Sequence, residues 1–319
     1  MKNIAVFFAI SIAGMSFDAD AAVKIVTSVA PITNIVHNVA GASNEVHGIV
    51  PEGMNSHTFE PVPSDIKWLR EADIIILNGL DLETPTLHLA KKVKKNNAPV
   101  VLLADATLAR GEWRYDFSFP KEKGHPNPHL WPNIAHAIHF AEVTRDALVA
   151  LDAAHAAQYR TNTDAYIAKL RVLDSAIYAC VKGIPEVNRK LVTYHDSYAY
   201  FAPRYGMRVI AAVQPADFSE PTPREVARII TQLRREKVPA IFGSEVFPSK
   251  VLEQISREAG ARYVDQLADD DLPGEKTDPK HTFIGMMVRN MQLMAQALGG
   301  DPRCVDHVDA ANIAFEKKR

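Results

Sequence analysis

Apolar residues along this chain recur in two rhythms. Short runs rich in Val, Ile and Leu predict strands at "KIVTSVA" (24–30), "EVHGIVP" (45–51), "DIIILNG" (73–79) and "APVVLLAD" (98–105). The 73–79 run is continuously apolar, the pattern of a parallel strand covered on both faces. Between these runs the spacing turns helical. "ITNIVHNVAG" reads as a helix ending at Gly41, and "SDIKWLREA" (64–72) as a helix with Ser64 as its N-cap. Strand alternating with helix predicts a parallel sheet with helices packed on it.

From Ile134 to Val181 the rhythm is helical throughout, and Gly and Pro are absent. "AIHFAEVTRDALVALD" is followed by a pattern of about thirty residues that Gly183 and Pro185 terminate. The strand signal then returns at "KLVTYHD" (190–196), "MRVIAAV" (207–213), "PAIFGSE" (239–245) and "ARYVDQL" (261–267), with helical stretches between, and "FIGMMVRNMQLMAQALGG" forms a last helix. The fold class is therefore α/β: two β/α halves, each with a parallel sheet, joined by one long helix. The boundaries read as a leader at 1–21, a first α/β domain at 22–152, a linking helix at 153–182 and a second α/β domain at 183–319. The two halves show no sequence repeat. The charged segment "ADDDLPGEKTDPKH" (268–281) reads as a mobile loop.

Composition narrows the class. The chain has 319 residues, 47% hydrophobic and 23% charged, with formal net charge -2, which argues against nucleic acid as a partner. One lysine, an apolar run from Ile4 to Met15, and Ala19-Asp20-Ala21 make a secretory signal cleaved after about Ala21. No cysteine follows that run, so no lipid anchor is expected, and the mature protein is placed in a periplasm. In such an oxidising compartment the two cysteines, Cys180 and Cys304, either form a disulfide or remain as buried free thiols.

Ligands of open α/β sheets bind beyond the carboxyl ends of the strands. Of twelve histidines, His57 follows the 45–51 strand, His129 sits in the proline-rich loop "NPHLWPN", and His195 ends the 190–196 strand. Asp265 lies in or just past the 261–267 strand, and successive members are 72, 66 and 70 residues apart. Three imidazoles and one carboxylate suit a first-row divalent metal, and the long spacings exclude a small zinc module with paired ligands. Each could equally be a hydrogen-bonded structural residue.

"GMNSHTFEPVPSDIKWLREADIIILNGLDLE" resembles the G-x-x-x-H-x-[YF]-E-P-x-P-x-D segment, and the stretch after it, of the metal-binding solute receptors of zinc and manganese ABC transporters. "NPHLWPN", "TYHDSYAYFAPRYGM", "AIFGSEVFPSKVLEQISREAG" and "RYVDQL" followed by "FIGMMVRN" resemble further segments of that family, in family order, over nearly the whole mature chain. The resemblance implies a rigid linking helix, a metal site in the cleft between the domains, and His57, His129, His195 and Asp265 as ligands. Manganese-favouring members carry Glu at the third position, so His195 implies Zn²⁺ as the transported ligand, with Mn²⁺ as the alternative. It further implies a monomer that delivers its ion to a membrane permease, with a metallochaperone as a further candidate partner. Glu60 and Glu245 are candidate hydrogen-bond partners of the ligand imidazoles. Trp131 and Phe201 are candidate walls of the site.

Three departures stand out: Pro132-Asn133 after Trp131, a 110–126 segment with only His125, and His281 before the last helix, either an auxiliary ligand or, as expected here, a surface residue. A secreted zinc hydrolase is the competing class, but four protein ligands close the site to water and no H-E-x-x-H occurs. Imidazole ligation predicts that metal binding weakens below about pH 6.5.

Overall fold

The computed structural model describes residues 22–246 and 250–314. The expected leader lies outside them. The first half runs β1 (Lys24–Thr27), α1 (Ala30–Ala40), β2 (Glu45–Gly48), α2 (Pro63–Glu71), β3 (Ile74–Leu77), α3 (Thr84–Val93), β4 (Val100–Leu102) and α4 (Leu103–Thr107). Two long helices follow, α5 (Ile134–Leu151) and α6 (Ala156–Gly183). The second half runs β5 (Lys190–Thr193), α7 (Phe201–Tyr205), β6 (Arg208–Ala212), α8 (Pro223–Glu236), β7 (Ala240–Ser244), α9 (Lys250–Ala259), β8 (Arg262–Leu267) and α10 (Phe283–Leu298).

Each half builds a four-stranded parallel sheet, ordered β2-β1-β3-β4 in the first and β6-β5-β7-β8 in the second. The topology repeats although the sequence does not. In both sheets the chain leaves the first strand for one edge and returns to the other side, which opens a crevice beyond the strand ends at that reversal. β3 and β7 are buried at every position, as their apolar runs require.

α6 spans 28 residues, about 42 Å at 1.5 Å per residue. Tyr159, Thr163, Tyr166, Leu170, Leu173, Ile177 and Cys180 form a buried stripe at three- and four-residue spacing along it. That stripe packs on α1 and α5 of the first half and on α10 of the second, so one apolar core runs through both halves. A second, smaller core lies under α8 and α9, around Val192, Ile210, Ile230, Ile241 and Leu252. Cys180 is bonded to Cys304, with Cα atoms 5.3 Å apart, tying the end of α6 to the short 3-10 helix Pro302–Val305.

Two local readings change. α2 starts one residue earlier than expected, at Pro63, and Ser64 is not its cap; the Asp65 carboxylate accepts the Val62 N–H at 2.7 Å instead. The unusual Pro132-Asn133 has a structural use: the Asn133 side chain caps α5, accepting the Ala135 N–H at 3.1 Å.

Candidate metal centre

Three loops from different elements converge where the two sheets present their strand ends. His57 lies nine residues beyond β2, with its backbone N–H bonded to Asn55 Oδ1 at 3.0 Å. His129 sits in the loop before α5, with its backbone N–H bonded to Asn127 Oδ1 at 3.0 Å. Both are Asx turns, in which an asparagine fixes the backbone two residues on. His195 follows β5, the strand at the reversal point of the second sheet.

The three Nε2 atoms meet: His57 to His129 is 3.2 Å, His57 to His195 is 3.3 Å, and His129 to His195 is 3.0 Å. An ion about 2.0–2.1 Å from each nitrogen in tetrahedral geometry would space them about 3.3 Å apart. The other ring nitrogen decides what these atoms offer. His129 Nδ1 lies 2.8 Å from Asn127 Oδ1, and His195 Nδ1 lies 2.7 Å from Gln214 Oε1. The Asn127 amide is oriented independently, because its Nδ2 donates to the Asp196 carbonyl at 2.7 Å. An acceptor oxygen at Nδ1 puts the proton there and leaves a lone pair on Nε2, so the lone pairs of His129 and His195 point at one spot.

The carboxylate beside these rings is Asp269. It is 2% exposed, and its Oδ2 lies 3.5 Å from His195 Nε2. Asp265, the residue the family pattern suggested, is exposed, and its Oδ1 takes a hydrogen bond from the Tyr263 hydroxyl at 3.4 Å. β8 runs on to Leu267, so Asp265 is still inside the strand, on the face it shares with Tyr263. Only beyond the strand does the chain turn into the cleft, and the first carboxylate there is Asp269.

That turn is held from both halves. Glu245 Oε1 accepts the backbone N–H groups of Asp269, Asp270 and Asp271 at 2.9, 3.0 and 3.1 Å. Trp131 Nε1 donates to the Asp269 carbonyl at 2.8 Å. Gly53 N–H reaches the Asp271 carboxylate at 2.8 Å, and Ser56 Oγ reaches Asp270 Oδ2 at 2.6 Å. The segment read as a mobile loop is thus the strap that brings the carboxylate to the histidines. Glu245 supports the site through this backbone rather than through an imidazole. Glu60 is exposed.

Aromatic rings close the centre. Trp131 meets His129 edge-on at 5.1 Å between centroids, and Phe218 stacks on His57 at 4.5 Å and 11°. Phe218 holds φ 59°, a strained conformation for a bulky residue. Phe119 packs 5.5 Å from His57, and Ser118 beside it donates its N–H to Asp196 at 2.8 Å, so the 110–126 segment covers the site. Phe201 lies away from it, packed with Tyr198 and Tyr205. His125 is exposed and bonded to Asp81. His281 is only 10% exposed, in a groove 3.4 Å from Glu52, and takes no part in the cluster; its burial differs from the expected surface position.

Burial sets the electrostatics. Loss of hydration lowers the His57 and His129 imidazoles well below their ordinary value and lowers His195 to about 4. The positive charges these rings would carry also repel one another at His57 and His129. Burial, reinforced by the carboxylates of Glu245 and Asp270, raises the Asp269 carboxyl well above its usual range. Burial therefore favours the neutral, ion-binding form of all three imidazoles. A raised Asp269 carboxyl holds its proton more firmly than an ordinary carboxylate, and that proton competes with an ion. The residues 57, 129, 195 and, in a second overlapping trio, 129, 269 and 270 are the groups among the described residues with donors close enough to share an ion.

Comparison with known proteins places the chain in a family. Residues 25–297 match the family model described as zinc-uptake complex component A, periplasmic. The chain is 31% identical over 276 residues to the iron-binding protein YfeA of Yersinia pestis, covering 86% of each chain. It is 28% identical to the manganese ABC transporter substrate-binding lipoprotein PsaA of Streptococcus pneumoniae, covering 86% of this chain and 88% of that one. The structure superposes on the periplasmic zinc-binding protein TroA of Treponema pallidum with a TM-score of 0.78 at 24% identity, over 86% of this chain and 98% of that chain. It superposes on a manganese-bound periplasmic metal-binding protein of Candidatus Liberibacter asiaticus with a TM-score of 0.75 at 23% identity, with the same coverage. These last two likenesses show the fold.

Proposed function

The chain belongs to the periplasmic zinc-uptake component A family of ABC-transporter solute receptors, and on that premise we propose that its cargo is Zn²⁺, held by His57, His129, His195 and Asp269. It is a non-enzymatic, extracytoplasmic binding protein that works with the other components of a metal ABC transporter. The observation that carries the choice of zinc is the third imidazole. His195 is 2% exposed, its Nδ1–H is tied to Gln214, and its Nε2 lies 3.0 Å from that of His129. Three borderline nitrogen donors and one oxygen match Zn²⁺ in a closed, four-coordinate site.

Capture needs no bond-making on a substrate. The ion exchanges hydration water for side-chain donors, displaces the proton on Asp269, and draws the strap and the His57 loop onto one centre. His57 is the half-buried member of the cluster and lies under Phe218, so the ion enters and leaves past these two rings. Delivery is to a membrane permease by the receptor as a monomer, with the mature N-terminus following Ala21.

Divalent affinity rises from Mn²⁺ toward Zn²⁺ at almost any nitrogen and oxygen site, so the informative quantity is the ratio of the two affinities. Competition titration of wild type and His195→Glu with both ions measures it. The zinc reading expects the ratio to narrow in the variant. An unchanged ratio would mean that His195 does not set the choice of metal.

A further inference from the structure

The first half holds a buried carboxylate that belongs to neither trio of donors able to share an ion. Glu83 is 3% exposed and lies beyond β3, at the reversal point where β1 and β3 run side by side. Its Oε1 accepts the Asn78 N–H at 2.8 Å and the Ser28 hydroxyl, and its Oε2 accepts the Gly79 N–H at 3.1 Å. One side chain therefore ties the end of β1 to the end of β3. The turn it holds is strained: Gly79, Leu80 and Asp81 take φ 85°, 46° and 63° in succession, a region that side chains rarely adopt. Asp105 fixes the middle of the turn by accepting the Leu80 N–H at 2.9 Å. A Cβ on Gly79 would come within 2.0 Å of Asp105 Oδ2, so the position demands glycine.

What the strained turn presents is Asn78. This residue is 0% exposed, and its Nδ2 donates to the Pro128 carbonyl at 3.1 Å. The N–H of the same peptide, that of His129, is bonded to Asn127 Oδ1 at 3.0 Å. The planar Pro128–His129 peptide is thus gripped by both of its polar atoms, once from its own loop and once from the end of β3. We propose that Glu83 is a positioning residue of the metal centre, fixing through Asn78 the peptide that aims His129 at the ion. This rests on the reading of His129 as a ligand. Glu83 is then the counterpart of Glu245, which accepts three backbone N–H groups beyond β7, the strand in the same place in the second sheet. Each half braces its part of the site with one glutamate.

Glu83→Gln keeps the shape of the side chain but sets an amide NH₂ against donors that need an acceptor. The test is Zn²⁺ competition against a chromophoric chelator for wild type, E83Q, Asn78→Ala, the double variant and His129→Ala, with guanidinium melts of each. The proposal expects E83Q and N78A each to weaken Zn²⁺ binding about tenfold, the lower end for an outer partner of a ligand histidine. Because both act through one link, the double variant should bind within about twofold of N78A. Losses that multiply in the double variant would mean that Glu83 acts by its charge and not through Asn78, and would overturn the proposal. A glutamate that only stabilises the fold would lower the melting midpoint and leave E83Q within about twofold of wild type in Zn²⁺ affinity, which would also overturn it. Where E83Q does not fold, N78A decides, because it removes the link and leaves the backbone N–H groups of residues 78 and 79 on Glu83; unchanged affinity there refutes the proposal. His129→Ala separates the two levels. A loss in H129A with none in E83Q sinks this proposal alone, whereas unchanged affinity in H129A sinks the reading of the site and this proposal with it.

Discussion

Asn127 touches no ion in this account, yet its removal is expected to cost affinity. Its Oδ1 accepts both the backbone N–H and the Nδ1–H of His129, at 3.0 and 2.8 Å, and its Nδ2 donates to the Asp196 carbonyl at 2.7 Å. Asn127 and His129 are both 0% exposed, so water does not replace these bonds freely. Asn127→Ala strands three buried polar groups at about 1 kcal/mol or more each, so the metal-free protein should lose about 3 kcal/mol of stability. It also frees the His129 ring to rotate and to change tautomer. Loss of such an outer partner typically weakens metal binding about 10–100-fold, or about 1.4–2.7 kcal/mol. Asn127→Asp separates the two effects: it keeps both acceptances but loses the donation to Asp196 and adds charge beside Asp116. It should recover most of the affinity and little of the stability. Zn²⁺ competition against a chromophoric chelator gives the first quantity, and guanidinium unfolding in chelator gives the second. N127A binding Zn²⁺ within about threefold of wild type would refute the claim that the asparagine sets the imidazole.

Two further outcomes follow from the same geometry. Asp269 has a raised carboxyl pKa in the empty site, so apparent Zn²⁺ affinity falls as pH drops through that raised value, where the proton competes with the ion, and is flat above it. Proton release on binding, measured by calorimetry in buffers of different ionisation enthalpy, should therefore vanish in Asp269→Asn; release that persists there places the proton on the histidines instead. The Cys180–Cys304 bond closes a separation of 124 residues, and its loss in Cys304→Ser should destabilise the protein by about 2–5 kcal/mol with Zn²⁺ affinity unchanged at 25 °C, as read by denaturant melts and titration.

Much of this protein is legible in its sequence, and the limits have physical causes. All eight strands show in the sequence, most plainly where a parallel strand is covered on both faces and must be a run such as Ile74–Leu77. The long helix shows as an unbroken 3.6-residue pattern ending at Gly183. His57, His129 and His195 stand out as histidines in turn-rich segments or at a strand end. The carboxylate does not. Asp265, Asp269, Asp270 and Asp271 follow within seven positions, and only the point where β8 stops, after Leu267, decides which one enters the cleft. Strand ends depend on pairing with β7, where the register shifts between Phe242 and Ser244, and such a shift leaves no mark in composition.

The outer partners are harder still. Asn127 carries a readable signal, an asparagine two residues before a histidine, repeated at Asn55 and His57. Gln214, Phe119 and Phe218 are single residues in polar segments, and nothing local distinguishes them from surface positions. The strap at 268–281 reads as mobile because its charges suggest solvation; Asp271 and Asp270 instead bond to Gly53 and Ser56 across the two halves, and Lys276 pairs with Glu52, while 274–280 are exposed.

The proposed function stands on one ion held among His57, His129, His195 and Asp269. Crystals of the Zn²⁺-loaded protein, measured on both sides of the zinc absorption edge, test it most directly. The expected map holds a single anomalous peak about 2.0–2.2 Å from the three Nε2 atoms and an Asp269 carboxylate oxygen, with Asp265 still turned to solvent. A peak elsewhere, or one bound by Asp265 with Asp269 turned away, would contradict it.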